Sequence, residues 1–255
     1  MTEAAAPLLE ARGIGKSYGA VTALTDVNFE VRSGEVVGLV GDNGAGKSTL
    51  VKILCGAVQP SSGQLVVDGT PVTFHSPKDS RERGIEVVYQ DLALASELSV
   101  TENVFLGRER RKGGLLGRLG VIDRRGMAGE AERTLNSLGI ELADVTSRCG
   151  LLSGGQRQAV AVARSVMWGS KILLLDEPTA ALAVMEAEKI GTLVREVVKH
   201  GVGVVLVSHN MPQVHELCDR IVVLLRGRVV AELRRGEVTI PDIVMWITGG
   251  ALVQG

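Results

Sequence analysis

At 255 residues, 45% hydrophobic and 22% charged, the chain is too apolar for a disordered protein and long enough to bury a sizeable core. Lys and Arg number 28 against 29 Asp and Glu, so a formal net charge of −1 gives no overall attraction to nucleic acid or to an anionic membrane. Three Phe, two Trp and two Tyr are too few for a base-stacking platform.

The longest run of apolar residues and glycine, Gly201–Val207, is far shorter than the about 18–20 residues a spanning helix needs. Met1–Leu9 carries Glu3 and no basic stretch, which argues against a secretory leader. Cys55, Cys149 and Cys218 are far apart and form no Cys-x-x-Cys pair, so neither a disulfide framework nor a zinc site is expected. Together these features point to a soluble cytoplasmic protein with reduced thiols.

In chain order, Leu24–Val31 and Glu35–Val40 read as strands joined at Ser33-Gly34. A glycine-rich loop and a helix from about Lys47 to Leu54 follow. Gln64–Val67 and Pro71–Phe74 form an expected hairpin around Asp68-Gly69, and Ile85–Tyr89 is another strand. From about Asp91 to Met167 the pattern is mostly helical, with Met127, Ala131, Leu135 and Leu138 on one helix face. Arg108–Arg125 is basic and glycine-rich, read as a solvated loop or a partner-facing patch. Ile172–Leu175 and Val204–Val207 are continuous apolar runs, as in parallel strands covered on both faces. Ile221–Leu225 and Val229–Leu233 close the pattern as a hairpin. The expected layout is an α/β nucleotide-binding core with an inserted helical lobe.

Three motifs carry chemistry. Gly41-Asp42-Asn43-Gly44-Ala45-Gly46-Lys47-Ser48-Thr49 fits Gly-x-x-x-x-Gly-Lys-Ser/Thr between a strand and a helix. There, backbone N–H groups and the helix start are expected to cradle phosphates, Lys47 to reach the β- and γ-phosphates and Ser48 to ligate Mg²⁺; alone, the motif fits small-molecule kinases and GTPases as well. Ile172–Leu175 ends in Asp176-Glu177: the first acid is a metal ligand candidate and the second a candidate base for an attacking water. Leu152-Ser153-Gly154-Gly155-Gln156 places a serine cap and two glycines before the helix Gln158–Met167, and is expected to offer free N–H groups to an anion. Gln90 and His209 lie just past apolar strands, where open parallel sheets bind ligands.

The ordered set Tyr18, Gly41–Thr49, Gln90, Leu152–Gln156, Ile172–Glu177 and His209 resembles an ATP-binding cassette ATPase, over roughly Leu8 to Gly249. The resemblance implies a P-loop NTPase core with a mostly parallel sheet at about 8–90 and 168–249. It adds an N-terminal antiparallel β subdomain and a helical subdomain at about 91–167. It implies ATP and Mg²⁺ as cofactors, with Ser48, Gln90 and Asp176 toward the metal. Tyr18 stacks on adenine, Glu177 is the catalytic base, Gln90 senses the water and the transporter, and His209 contacts the γ-phosphate. Two cassettes pair head to tail, so Leu152–Gln156 meets the ATP held by the opposite phosphate loop.

Phe74–Asp79, Gly84-Ile85, Val88–Asp91 and Leu98–Glu109 are similar to cassettes of simple-sugar importers. The implied partners are a second cassette, as homodimer or heterodimer, integral membrane permease subunits and, indirectly, an extracytoplasmic sugar-binding protein, with no nucleic acid. The implied location is the inner face of the cell membrane. The alternatives are a transporter of amino acids, nucleosides or lipids, and a non-transport cassette. One departure stands out: Ala180-Ala181-Leu182-Ala183 replaces the usual Ser-Ala-Leu-Asp, so the aspartate that crosses to the other phosphate loop is absent. Asp91–Leu106, just past Gln90, is the expected surface for the membrane partner.

Overall fold

The computed structural model describes residues 6–180 and 182–250, apart from the side chain of Leu115. Residues 1–5 of the Met1–Leu9 segment, and Ala181 within Ala180–Ala183, lie outside the described residues. The chain opens with β1 (Leu9–Tyr18), β2 (Val21–Val31), β3 (Val36–Gly41), α1 (Lys47–Leu54), β4 (Ser62–Val67), β5 (Thr70–Val72), α2 (Pro77–Glu82) and β6 (Ile85–Val88). It continues with α3 (Val100–Val104), α4 (Gly114–Arg118), α5 (Arg124–Ser137) and α6 (Gly154–Met167). Last come β7 (Ile172–Asp176), α7 (Val184–Lys199), β8 (Gly203–Val207), α8 (Met211–Leu217), β9 (Arg220–Leu225), β10 (Arg228–Arg234) and α9 (Ile240–Ile247).

Two compact units emerge. The first runs to Gln90 and takes in Gly169–Ala180 and the chain from Val197 onward; the second comprises Asp91–Trp168 and the segment ending at Glu196. In the first unit an antiparallel sheet has the order β2-β1-β4-β5, and a second sheet has the order β10-β9-β3-β8-β7-β6. Strands β6, β7, β8, β3 and β9 run parallel to their neighbours, while β10 returns antiparallel beside β9. The apolar runs of β7 and β8 are fully buried, the pattern of strands covered on both faces. One apolar cluster joins Leu9, Ile14, Leu24 and Val27 of the antiparallel sheet to Leu50 and Ile53 of α1 and to Leu39, Leu174 and Val205 of the parallel strands. Each buried aliphatic side chain there contributes roughly 1.5–3 kcal/mol, so truncating the central Leu50 to Ala would cost about 2–5 kcal/mol.

Strand β1 has no counterpart among the strands expected from the pattern. Its pairing with β2 shifts register between Ala11 and Ile14, where Gly13 sits at φ 61° and donates to Asn28 Oδ1 at 2.9 Å. The bulges break the alternation that makes a strand legible.

In the second unit Met127, Ala131 and Leu135 of α5, with Leu138 just beyond, form the buried face their spacing suggests. The segment is less helical than its pattern: α3 and α4 are single turns, and long stretches are irregular. Hydrogen bonds from side chains replace helix there. Buried Asn103 accepts from the Ala95 amide and donates to the carbonyls of Ala95, Leu98 and Ser99, which fixes the loop before α3. Phe105 packs edge-on against Trp168 at 5.5 Å, and the indole N–H donates to the Val104 carbonyl. All three cysteines are buried and free.

Candidate functional site

The phosphate-loop pattern falls between β3 and α1, as expected of it. Gly46 occupies the helix cap at φ 111° and has no side chain to accept from the first amides. A side chain there would sit 2.6 Å from Leu24 Cδ2 and 2.9 Å from the Ala23 carbonyl, so glycine is required. The loop is also held from outside, by a contact the sequence reading missed. The Gly227 amide, in the β9–β10 turn, donates to the Ala45 carbonyl at 2.9 Å, and the Gly227 carbonyl accepts from Thr25 at 2.8 Å.

Lys47 Nζ donates to the carbonyls of Gly41 at 2.7 Å and Asp42 at 3.0 Å, which places the ammonium at the mouth of the loop. Burial lowers its pKa, opposed by the charges of Glu177, Asp42 and Asp176. Burial conversely raises the Asp176 carboxyl, as does neighbouring Glu177, against Lys47 and Lys52. One cation and two carboxylates therefore share a partly desolvated space.

The sheet register explains how they meet. Val207 of β8 lies beside Leu39 of β3 and Asp176 of β7, and Val88 of β6 lies beside Leu175. At or just past these strand ends lie the phosphate-loop pattern, His209, Asp176-Glu177 and Gln90, in the order of four adjacent parallel strands. Glu177 turns sharply, at φ 53°, a left-handed conformation uncommon outside glycine. Its amide donates to the Val207 carbonyl at 2.9 Å, and its Oε2 lies 2.8 Å from His209 Nδ1. Below the pair, Thr179 donates to Gln213 at 2.8 Å, and Asn210 caps α8 by accepting from the Gln213 amide.

Gln90 is exposed, immediately after Tyr89. The Tyr89 hydroxyl lies 3.5 Å from Cys55 Sγ, at the end of α1, and burial with that contact pushes its pKa up. Tyr89 thus ties the Gln90 segment to the phosphate-loop helix. Tyr18 belongs to the other sheet, at the tip of the β1–β2 hairpin, 47% exposed, with Lys16 Nζ 5.1 Å from its ring centre. Lys16 pairs opposite Leu24, the residue packed on Gly46, so the hairpin tip adjoins the loop.

Leu152–Gln156 lies in the second unit at the start of α6. Its amides are less free than the sequence suggests. Ser153 Oγ accepts from the Gln156 amide at 3.2 Å, and Gln156 Oε1 accepts from the Ser153 amide at 3.0 Å, a reciprocal capping box. The Gly155 amide points to Glu186 Oε1 at 3.4 Å. Hydrogen bonds from Ser153 and Gly155 hold the Glu186 carboxyl below its usual range. Nothing in the sequence singled out Glu186, an acid in the first turn of an amphipathic helix.

Residues 24–180 match the family described as ABC transporter. The fructose import ATP-binding protein FrcA of Rhizobium meliloti is 44% identical over 95% of this chain and 94% of its own length. The xylose/arabinose import ATP-binding protein XylG of Sulfolobus acidocaldarius is 46% identical over 96% and 95%. The ribose import ATP-binding protein RbsA of Hahella chejuensis is 38% identical over 95% of this chain, which spans 47% of it. Among solved structures, the ADP conformation of the ATP-binding cassette MJ1267 superposes with a TM-score of 0.81 at 26% identity, covering 98% of both chains. A dimeric cassette, MJ0796 bound to ADP and Pi, superposes with a TM-score of 0.73 at 27% identity, covering 89% of this chain and 98% of its own. The chain belongs to the ABC transporter family, as one of its ATP-binding cassettes.

Proposed function

We propose that this chain hydrolyses ATP to energise import of a sugar through separate integral membrane permease subunits. Relatives named for fructose, xylose/arabinose and ribose import, at 38–46% identity, support the transport reading. One observation carries the chemistry: Lys47, His209, Asp176-Glu177 and Gln90 stand at the ends of four adjacent parallel strands.

In this reading the loop amides and Lys47 hold the β- and γ-phosphates, and Tyr18 stacks on the adenine. Glu177 accepts a proton from water as the water oxygen bonds to the γ-phosphorus and the bond to the ADP oxygen breaks, which releases ADP and phosphate. His209, already in contact with Glu177, turns to the γ-phosphate. Ser48, Asp176 and Gln90 offer the hard oxygen donors that suit Mg²⁺, which would neutralise phosphate charge. Ser153–Gln156 of a second cassette completes the site from the far side.

Closing and opening of the pair then drives the permease. Leu92, Leu94 and Leu98, half-buried just past Gln90, are its docking face. An extracytoplasmic sugar-binding protein delivers the substrate, and the cassette works at the inner face of the membrane.

Glu177→Gln tests the assignment. It is expected to lower turnover by about 10²–10⁴-fold while ATP binding, measured by calorimetry, stays intact. Hydrolysis at the wild-type rate would remove Glu177 from its role.

A further inference from the structure

The basic segment Arg108–Arg125 takes no part in the proposed hydrolysis, and the structure divides it in two. Three of the four arginines at its base are tied down. Arg108 lies over the Trp168 ring at 4.8 Å, Arg110 pairs with Glu130 at 2.7 Å, and Arg124 pairs with Glu102 at 3.4 Å. The two acids of the segment are turned to backbone: Glu109 accepts from the Gly107 amide and Asp123 from the Gly126 amide.

The tip, 111–122, is different. It contains Arg111, Lys112 and Arg118 and no acid. These three are exposed, and among the described residues none forms an ion pair. Beside them Leu116 is 51% and Leu119 73% exposed, with Val121 and Ile122 near 38–39%. This is not a loose loop. Lys112 donates to the Val121 carbonyl at 2.9 Å, Val121 to Leu116 at 3.1 Å and Gly120 to Gly117 at 3.0 Å, and Arg111 bridges Ile122. Gly117 packs so tightly on the Lys112 carbonyl that no side chain fits. The turn therefore spends backbone order on presenting leucines to solvent, which a merely solvated loop has no reason to do.

The geometry points to the 111–122 tip as an anchor on anionic lipid headgroups, with Leu116 and Leu119 entering the interface and Arg111, Lys112 and Arg118 on the phosphates. The assignment rests on the importer reading to bring the chain to a membrane. Charge selects lipid over the permease: cytoplasmic loops of membrane proteins are rich in Lys and Arg and repel a basic tip, whereas the leaflet facing them is anionic.

Sedimentation of the purified chain with vesicles tests it. The chain is expected to bind phosphatidylcholine–phosphatidylglycerol vesicles at low salt, and phosphatidylcholine alone much more weakly. Replacing Arg111, Lys112 and Arg118 together by Ala should weaken binding about 10²-fold, at roughly fivefold per basic residue. Leu116→Ser with Leu119→Ser should weaken it by about tenfold or more. ATPase activity without vesicles should equal wild type in both variants, which certifies their fold. Absence of binding, equal binding to both lipids, or variants that bind like wild type would overturn the assignment; binding only to solubilised permease would assign the tip to protein instead. A wild-type chain without ATPase activity would fail the hydrolysis reading while the vesicle result stood by itself.

Discussion

At the start of α1 the cap is Gly46, in a left-handed conformation, with no side chain of its own to accept from the first amides. At the start of α6, Ser153 and Gln156 cap each other and Glu186 takes up the next amide. Both are glycine-rich helix starts, with the same dipole and the same orphan donors. The first starts at a residue with no side chain to cap it, adds the Lys47 cation and tolerates backbone strain. The second satisfies the Gly155 and Gln156 amides with its own side chains and adds an anion. An anion at the first site would draw Lys47 from the Gly41 and Asp42 carbonyls; at the second it would displace a carboxylate.

The sharpest way to break the contrast is Lys47→Ala. It removes the charge that only the first site has, and ATP affinity by calorimetry should fall about 10²-fold, the value of charge-assisted phosphate contacts. An unchanged affinity would mean that the amides alone do the binding. Gly46→Ala probes the strain instead. A methyl group meets Leu24 and Ala23 in a backbone conformation that disfavours it, so stability should fall by about 2 kcal/mol and Tm by about 4–8 °C. A melting temperature equal to wild type would show that the loop relaxes at no cost.

Glu186→Gln gives the smallest effect and sharpens the other side. It keeps an acceptor for Gly155 and removes the negative charge. If the opposite ATP meets these amides, the ATP concentration for half-maximal hydrolysis should drop about threefold, with nucleotide affinity of the isolated cassette unchanged. A rise would make Glu186 a support of the loop and not a competitor.

The placement of Gly41–Thr49 between β3 and α1 was legible because a phosphate-loop pattern demands particular residue types at fixed spacing, and the apolar runs of β7 and β8 locate the strand ends that carry Asp176, Glu177 and His209. What escaped the sequence lies in contacts between distant segments. Gly227 looks like an ordinary hairpin glycine, yet its amide supports Ala45. Tyr89 looks like a strand residue, yet its hydroxyl meets Cys55. Glu186 looks like a solvated helix charge until the fold lays it over Gly155. Strand β1 escaped for a local reason, since its bulges at Gly13 and beyond erase the period of two. The helical reading of 91–167 overreached because side chains such as Asn103 organise irregular backbone without leaving a period to read.

The brace at Gly227 also decides where this chain could be cut and rejoined. Two hairpin turns share one backbone form: Asp68-Gly69 at φ 48° and 72°, and Arg226-Gly227 at φ 49° and 78°. By local conformation they are interchangeable. Around Gly69 there is open space, whereas a side chain on Gly227 would press 2.6 Å from the Ala23 carbonyl. A circular permutant opened at the first turn forfeits a hairpin on the edge of the antiparallel sheet, together with the Lys171–Asp68 ion pair. One opened at the second leaves the loop before α1 without its outer clasp. Of two turns with the same geometry, one is a convenient place for new termini and the other braces the proposed ATP site, although it lies about 180 residues further along the chain.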